Sequence, residues 1–223
     1  MPGPHVFGDG RLGCWFTSSP NFADKLRHRL PLVKTLGVSD AFLPREATLA
    51  DKQLVRDAEL FAALYETPPA GMAAKAYGEQ AVADCNRLSL GACELNIEDV
   101  ADDKLAAFVR AAVHAVRAAK PALRLRVNVV PFKGTFLPAD LFASDAQLYV
   151  IVQNYLGNMD ARVACDEIVR DLVDHGIPWP KVSVMYGAHV GDRGGPRVPA
   201  LPQIRWRGSI YQDDLLADAG YLG

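Results

Sequence analysis

The run ACELNIE, residues 92–98, places three polar side chains at alternate positions: Glu94, Asn96 and Glu98. On a β-strand, residues i, i+2 and i+4 point to one face, so these three share a side while Cys93, Leu95 and Ile97 share the other. In a parallel sheet whose outer face packs on helices, the apolar trio belongs under the helices and the polar trio belongs inside. Glu98, last in the run, would project from the strand end. Partial desolvation beside like charges there favours the protonated carboxyl that a general acid needs. The alternative for Glu98 is a carboxylate beside Asp99 at the start of the next helix, favourable with the helix dipole.

The same filter, applied to every strand-like run, collects the residues that a barrel mouth would present. Run 1 ends near Trp15, Thr17 and Ser18; run 2 offers Arg45 and Glu46; run 3 offers Tyr65 and Glu66. Run 5 gives Asn128 and then Phe132 and Lys133, and run 6 gives Gln153, Asn154 and Tyr155. Run 7 gives Tyr186 and His189, and run 8 gives Tyr211, Gln212, Asp213 and Asp214. Carboxylates, amides and aromatics dominate this set. An anionic substrate would call for Lys, Arg or a Gly-rich helix N-terminus. Amides and carboxylates bond hydroxyls, and Trp and Tyr faces stack on a sugar ring, so a neutral glycan is the expected ligand. Trp15, Glu46, Asn96, Asn128, Gln153, Tyr155 and Tyr186 are the expected contacts. Arg124 and Arg126 read as inward arginines paired with Glu94. Asp213 and Asp214 read also as charges at a helix N-terminus. Four scattered cysteines without a C-x-x-C pair read as reduced, buried residues. The five histidines lack metal-ligand spacing, so no metal and no cofactor is implied.

The elements that must hold these residues alternate along the chain. Strand-like runs fall at 12–18, 40–45, 60–66, 92–98, 123–132, 147–155, 182–187 and 204–211. Between them, helical periodicity covers 21–36, 50–57, 70–90, 102–119 and 160–175, with a single turn at 138–142 and a short closing helix at 213–219. Gly37, Gly91 and Gly176 sit where helices should end. The Gly/Pro-rich stretch 188–203 reads as a loop. Eight strands separated by helices in a chain of 223 residues predict one α/β domain over 1–223, a (β/α)8 TIM-type barrel of minimal or irregular form. An open parallel sheet is the alternative, but no G-x-G-x-x-G follows a strand and no phosphate-binding loop occurs.

Half of the residues are apolar and 22% are charged, with 24 Lys+Arg against 26 Asp+Glu. A net charge of −2 offers no footprint for nucleic acid or an anionic membrane. No run approaches the ~18 apolar residues that span a bilayer. The opening MPGPHVFGDG has neither a basic segment nor an apolar core, so no signal peptide is expected and the chain reads as cytoplasmic when synthesised.

An acidic-x-acidic pattern closing strand 4 of an eight-stranded barrel, with an aromatic after strand 1, resembles the glycoside-hydrolase barrels, in particular their muramidase (lysozyme-type) and chitinase-like groups. Asn96-Ile97-Glu98 aligns with that pattern, and Phe42, Arg45, Gln153, Tyr155, Met185 and Tyr186 sit where such barrels line their clefts. The resemblance implies Glu98 as the catalytic acid and a cell-wall or chitin-like polysaccharide as substrate. Asn96 stands where Asp is usual, which weakens hydrolysis or moves the second carboxylate to Glu66, Glu46 or Asp213. A separation of ~5 Å between the carboxyls implies retention, and ~6.5–9.5 Å inversion. Two classes stay open: a glycosidase, or a barrel without catalysis that binds carbohydrate or serves as a subunit among protein partners, as in a phage or cell-wall-associated assembly. A metal-dependent hydrolase built on Glu46, Glu66, Glu98 and His189 is disfavoured by the histidine supply.

Overall fold

The computed structural model describes residues 13–16, 39–154, 169–186 and 209–211, together with positions 24 and 27. The elements in chain order are β1 (Gly13–Trp15), β2 (Asp40–Pro44), α1 (Leu49–Asp57), β3 (Phe61–Glu66), α2 (Ala74–Arg87) and β4 (Ala92–Asn96). They continue with α3 (Asp102–Ala119), β5 (Arg124–Val129), a 3-10 turn (Pro131–Phe136), α4 (Ala139–Ser144) and β6 (Leu148–Asn154). A second 3-10 turn (Trp179–Lys181), β7 (Val182–Tyr186) and β8 (Ser209–Tyr211) complete the series, with helical residues also at 169–174. The expected helices 21–36 and 213–219 and the loop 188–203 lie outside the described residues, apart from positions 24 and 27, which are helical.

The fold is α/β with a curled parallel sheet of TIM type. Strand order follows chain order, and β1 to β7 pair in sequence, each in parallel. β8 returns beside β1 over three residues and meets β7 at Tyr186↔Ile210. Helix-bearing connections make parallel pairing the natural outcome of this alternation. The two faces are chemically distinct. On the outer face Cys14, Leu43, Leu64, Cys93, Leu95, Val127 and Val150 pack into one continuous apolar core with the buried faces of α2 and α3. On the inner face Trp15, Phe42, Ala63, Ala92 and Ile151 form a separate small cluster, with Tyr65 packed against it.

Local chemistry explains the element ends. Thr48 caps α1 through a capping box: its hydroxyl accepts from the Asp51 N–H, and the Asp51 carboxylate accepts from the Thr48 N–H at 2.8 Å. α3 opens on Asp102 and Asp103 and buries Leu105, Val109, Ala112, Val113 and Val116, the face its periodicity marks out. Three boundaries differ from expectation here. The 70–90 helix starts only at Ala74, after a turn in which the Met72 N–H donates to the Pro69 carbonyl, and it ends at Arg87. Its left-handed closing residue is Ser89 (φ 52°), not Gly91, with the Leu90 N–H reaching back to the Cys85 carbonyl at 2.7 Å. β4 stops at Asn96, two residues short of Glu98. α2 and α3 approach closely at Gly78, where a Cβ would sit 2.3 Å from the Ala112 carbonyl oxygen.

Candidate functional site

β4 delivers two of its three polar residues to the sheet interior, where Glu94 and Asn96 are both buried. Glu98 lies in the turn beyond the strand, half-buried at the rim. The Asn96 amide crosses the strand end and donates to Glu98 Oε1 at 2.9 Å. This turn is fastened from the β5 side: the Ile97 N–H donates to the Asn128 carbonyl at 3.0 Å, and Lys133 Nζ donates to the carbonyls of Glu98 and Val100. The chain leaves the strand here because its next carbonyls are taken by a side chain rather than by a neighbouring strand.

One layer below, Asn128 Nδ2 donates to Glu94 Oε1 at 2.7 Å. Arg126 lies 3.8 Å from Glu94 Oε2, and its guanidinium stands over the Phe42 ring at 5.0 Å. Arg126 and Glu94 are opposite one another in the β4–β5 register. Trp15 stacks at a tilt on Tyr65, centroids 4.6 Å apart. Asn128 Oδ1 and Ser183 Oγ are buried with no hydrogen-bond partner among the described residues. At the floor, Arg124 pairs with buried Asp40 on β2 and lies over the Phe61 ring. Arg126 therefore meets Glu94 as expected, whereas Arg124 does not. Successive inward residues on a strand are ~6.6 Å apart, so the register leaves Arg124 opposite Ala92 and out of reach.

Glu66 occupies different ground. It is opposite Leu95 in the β3–β4 register, and Leu95 belongs to the outer, helix-covered core. Glu66 thus faces α2 rather than the sheet interior. Both its carboxyl oxygens are buried without a hydrogen-bond partner among the described residues, and Arg45, which is 38% exposed, stands 3.8 Å away. Burial raises its pKa to about 7, with Arg45 opposing and Asp84 and Glu46 adding to the rise. Beside it, the Tyr77 hydroxyl on α2 donates to the Glu66 carbonyl at 2.6 Å and lies 3.3 Å from the Asn96 carbonyl. Burial also pushes the Tyr77 phenol and the Cys93 thiol upward.

The structure therefore groups Asn96, Glu98 and Asn128 at one strand end, while Trp15 is buried in the inner cluster against Tyr65. It leaves Glu46 exposed in the turn after β2 and Glu66 under α2. Gln153 lies opposite Met185 near the end of β6, and Tyr186 ends β7 opposite Asn154. Tyr155 and Asp213 fall outside the described residues. Sequence reasoning gives Lys133 no role and does not single out Tyr77. A long cation just past a strand is the signal available for the first, and a lone tyrosine on an apolar helix face for the second. Cys14, Cys85 and Cys93 are buried and form no disulfide among the described residues. Among the described residues no group of three or more His, Cys, Asp or Glu could hold a metal ion, and no helix is long and apolar enough to cross a membrane.

No family model matches the sequence, and no curated protein does. Solved structures match by fold. One is the active domain 2 of a thermostable chitinase from Pyrococcus furiosus, at 13% identity and TM-score 0.63, over 93% of this chain and 82% of that one. Another is the Bacillus cereus spore cortex-lytic enzyme SleL, at 10% identity and TM-score 0.56, over 83% of this chain; this chain spans 54% of SleL's length. A third is the aldolase QR15, at 9% identity and TM-score 0.62, over 96% of this chain and 94% of that one. At these identities the likeness shows a TIM-type fold alone, one that chitinases and aldolases share.

Proposed function

We propose that these residues form one (β/α)8 domain acting on a neutral, hydroxyl-rich glycan of the cell-wall or chitin type, with Glu98 as general acid. The observation that carries this reading is the Asn96–Glu98 contact at the end of β4: a rim carboxyl, half-buried, with one oxygen held at 2.9 Å by a buried amide. An acid on a glycosidic oxygen must present its proton from a fixed direction. With Oε1 accepting from Asn96, that proton belongs on Oε2. Asn128 lies on the adjacent strand opposite Asn96; buried and with its amide donated to Glu94 Oε1, it braces the layer beneath the rim. Gln153, near the end of β6 and in step with inward Ile151, is the next position along the same rim in this reading, whereas Tyr186 is in step with Val182 of the outer core. Glu66 faces the helices and Glu46 the solvent, so Asp213, two residues beyond β8, is the second carboxylate this reading names. The chitinase and the spore cortex-lytic enzyme among the fold neighbours support the substrate class.

A second reading, a carbohydrate-binding barrel without hydrolysis, is favoured by one observation. Both buried carboxylates of the described inner face, Asp40 and Glu94, are paired with arginines. Hydrolysis of chitotetraose and of peptidoglycan fragments by the wild type and by Glu98→Gln separates the two. Turnover lost in Glu98→Gln, with glycan binding retained, supports the enzyme. Equal trace activity in both, with binding intact, supports the binding barrel, and no binding by either refutes the glycan class.

A further inference from the structure

We propose that Lys133 is a positioning residue for Glu98, fixing the turn after β4 so that the carboxyl stays against the Asn96 amide. The inference rests on the reading of Glu98 as the acid. Lys133 reaches back to a segment 35 residues earlier in the chain. Its ammonium donates to the Glu98 carbonyl and the Val100 carbonyl, each at 2.6 Å. Asp102 at the start of α3 is 3.7 Å from the same nitrogen. The lysine side chain is only 17% exposed, so these carbonyls accept from it in place of water. An ammonium has three donors, and two are spent on the backbone that carries Glu98.

The platform beneath Lys133 is itself fixed. The Lys133 N–H donates to the Val130 carbonyl at 3.0 Å and the Leu137 N–H to the Gly134 carbonyl at 3.2 Å. Gly134 packs so tightly that a Cβ would lie 2.5 Å from Leu172 Cδ2. A His175 ring nitrogen lies 2.9 Å from the Leu137 carbonyl. On the other side, Ile97 is held by the Asn128 carbonyl. The turn is thus clamped between two points that both belong to the β5 segment, and Glu98 lies between them. Without Lys133 the carbonyls of Glu98 and Val100 lose a buried charged donor, and the Glu98 side chain loses its fixed path to Asn96.

The test is NMR on the full chain, comparing wild type, Lys133→Met, Lys133→Arg and Glu98→Gln. The reporter is the Asn96 side-chain amide pair, whose hydrogen-bonded proton should be displaced downfield by Glu98. In Lys133→Met the Asn96 signals are expected to move toward their positions in Glu98→Gln, and the amides of residues 98–100 to exchange at least about tenfold faster. Lys133→Arg, which keeps charge and donors, should recover most of both effects. Unchanged protection of β5 amides certifies the fold; where Lys133→Met lacks it, Lys133→Gln takes its place with the same expectations. Faster turn exchange with an unmoved Asn96 signal would make Lys133 a loop strut and overturn the proposal, as would no change in either. The measurement uses no glycan, so a chain that hydrolyses nothing defeats the proposed function while this inference is still decided by the Asn96 signal.

Discussion

Glu66→Gln tests whether the parity of β3 has been read correctly, because it asks a buried carboxyl to report on its surroundings. Glu66 has a pKa raised by burial from 4.5 to about 7, and neither carboxyl oxygen has a hydrogen-bond partner among the described residues. The folded state therefore binds this proton more tightly than the unfolded chain does. Glu66 costs nothing below pH 4.5, and stability is lost progressively as pH rises from 4.5 to about 7. At about 1.36 kcal/mol per unit, the full shift amounts to about 3 kcal/mol above pH 7. Glutamine has nearly the same shape and cannot ionise. Arg45 is partly exposed and also lies 3.9 Å from Asp84, so losing one distant carboxylate costs it little.

Urea unfolding of wild type and Glu66→Gln at pH 5, 6, 7 and 8 isolates this one group in the difference between the curves. The variant should stay within ~1 kcal/mol of the wild type at pH 5 and be more stable by about 3 kcal/mol at pH 8. A constant difference across pH, or a less stable variant at pH 8, refutes the reasoning. The same protein answers a second question. With Glu66 under α2, any glycan turnover should stay within about threefold of wild type, whereas loss of ~100-fold or more would return Glu66 to the chemistry.

Other perturbations probe the remaining parts. Asn96→Asp restores the acidic pair in the strand-4 pattern, and initial rates on chitotetraose should rise at least ~10-fold; equal or lower rates count against hydrolysis. Glu94→Gln leaves Arg126 buried without its carboxylate and should cost about 3–5 kcal/mol in denaturant unfolding, while the double change Glu94→Leu with Arg126→Met should recover most of that. Gly78→Ala forces a methyl toward the Ala112 carbonyl and should cost about 1–3 kcal/mol, read as a lower thermal midpoint.

The strands were legible where β-rich runs are bounded by turn residues: Asp40–Pro44, Arg124–Val129 and Leu148–Asn154 fall within the runs marked from sequence. The site was legible at Glu94 and Asn96, because alternation in β4 is unbroken. It was misread at two places for separate reasons. Periodicity cannot tell a strand residue from one that continues the alternation into a turn, and Glu98 does the latter because Lys133, distant in sequence, takes its carbonyl. Tyr65 and Glu66 were both assigned to the mouth, although neighbours on a strand cannot share a face. Leu64 under the helices already puts Glu66 there too, so parity within Phe61–Glu66 held the answer. The pairing of Arg124 was beyond reach, since it depends on register with β2 across the sheet.

The polar interior bears on where a ligand can sit. Trp15, Phe42, Arg126 and Glu94 are all buried to within 1%, and Arg126 fills the space between the Phe42 ring and Glu94. A buried ion pair of this kind adds little stability over an apolar filling, because desolvation offsets the attraction. Its effect is geometric: two charges and a ring fix one another, and the layer they form is closed. On the reading proposed above, a glycan lies across the rim at Glu98 and the residues that follow the strands, above this packed layer. The aldolase and lyase neighbours share the sheet with the chitinase, so the fold leaves the choice of substrate to the residues at the rim.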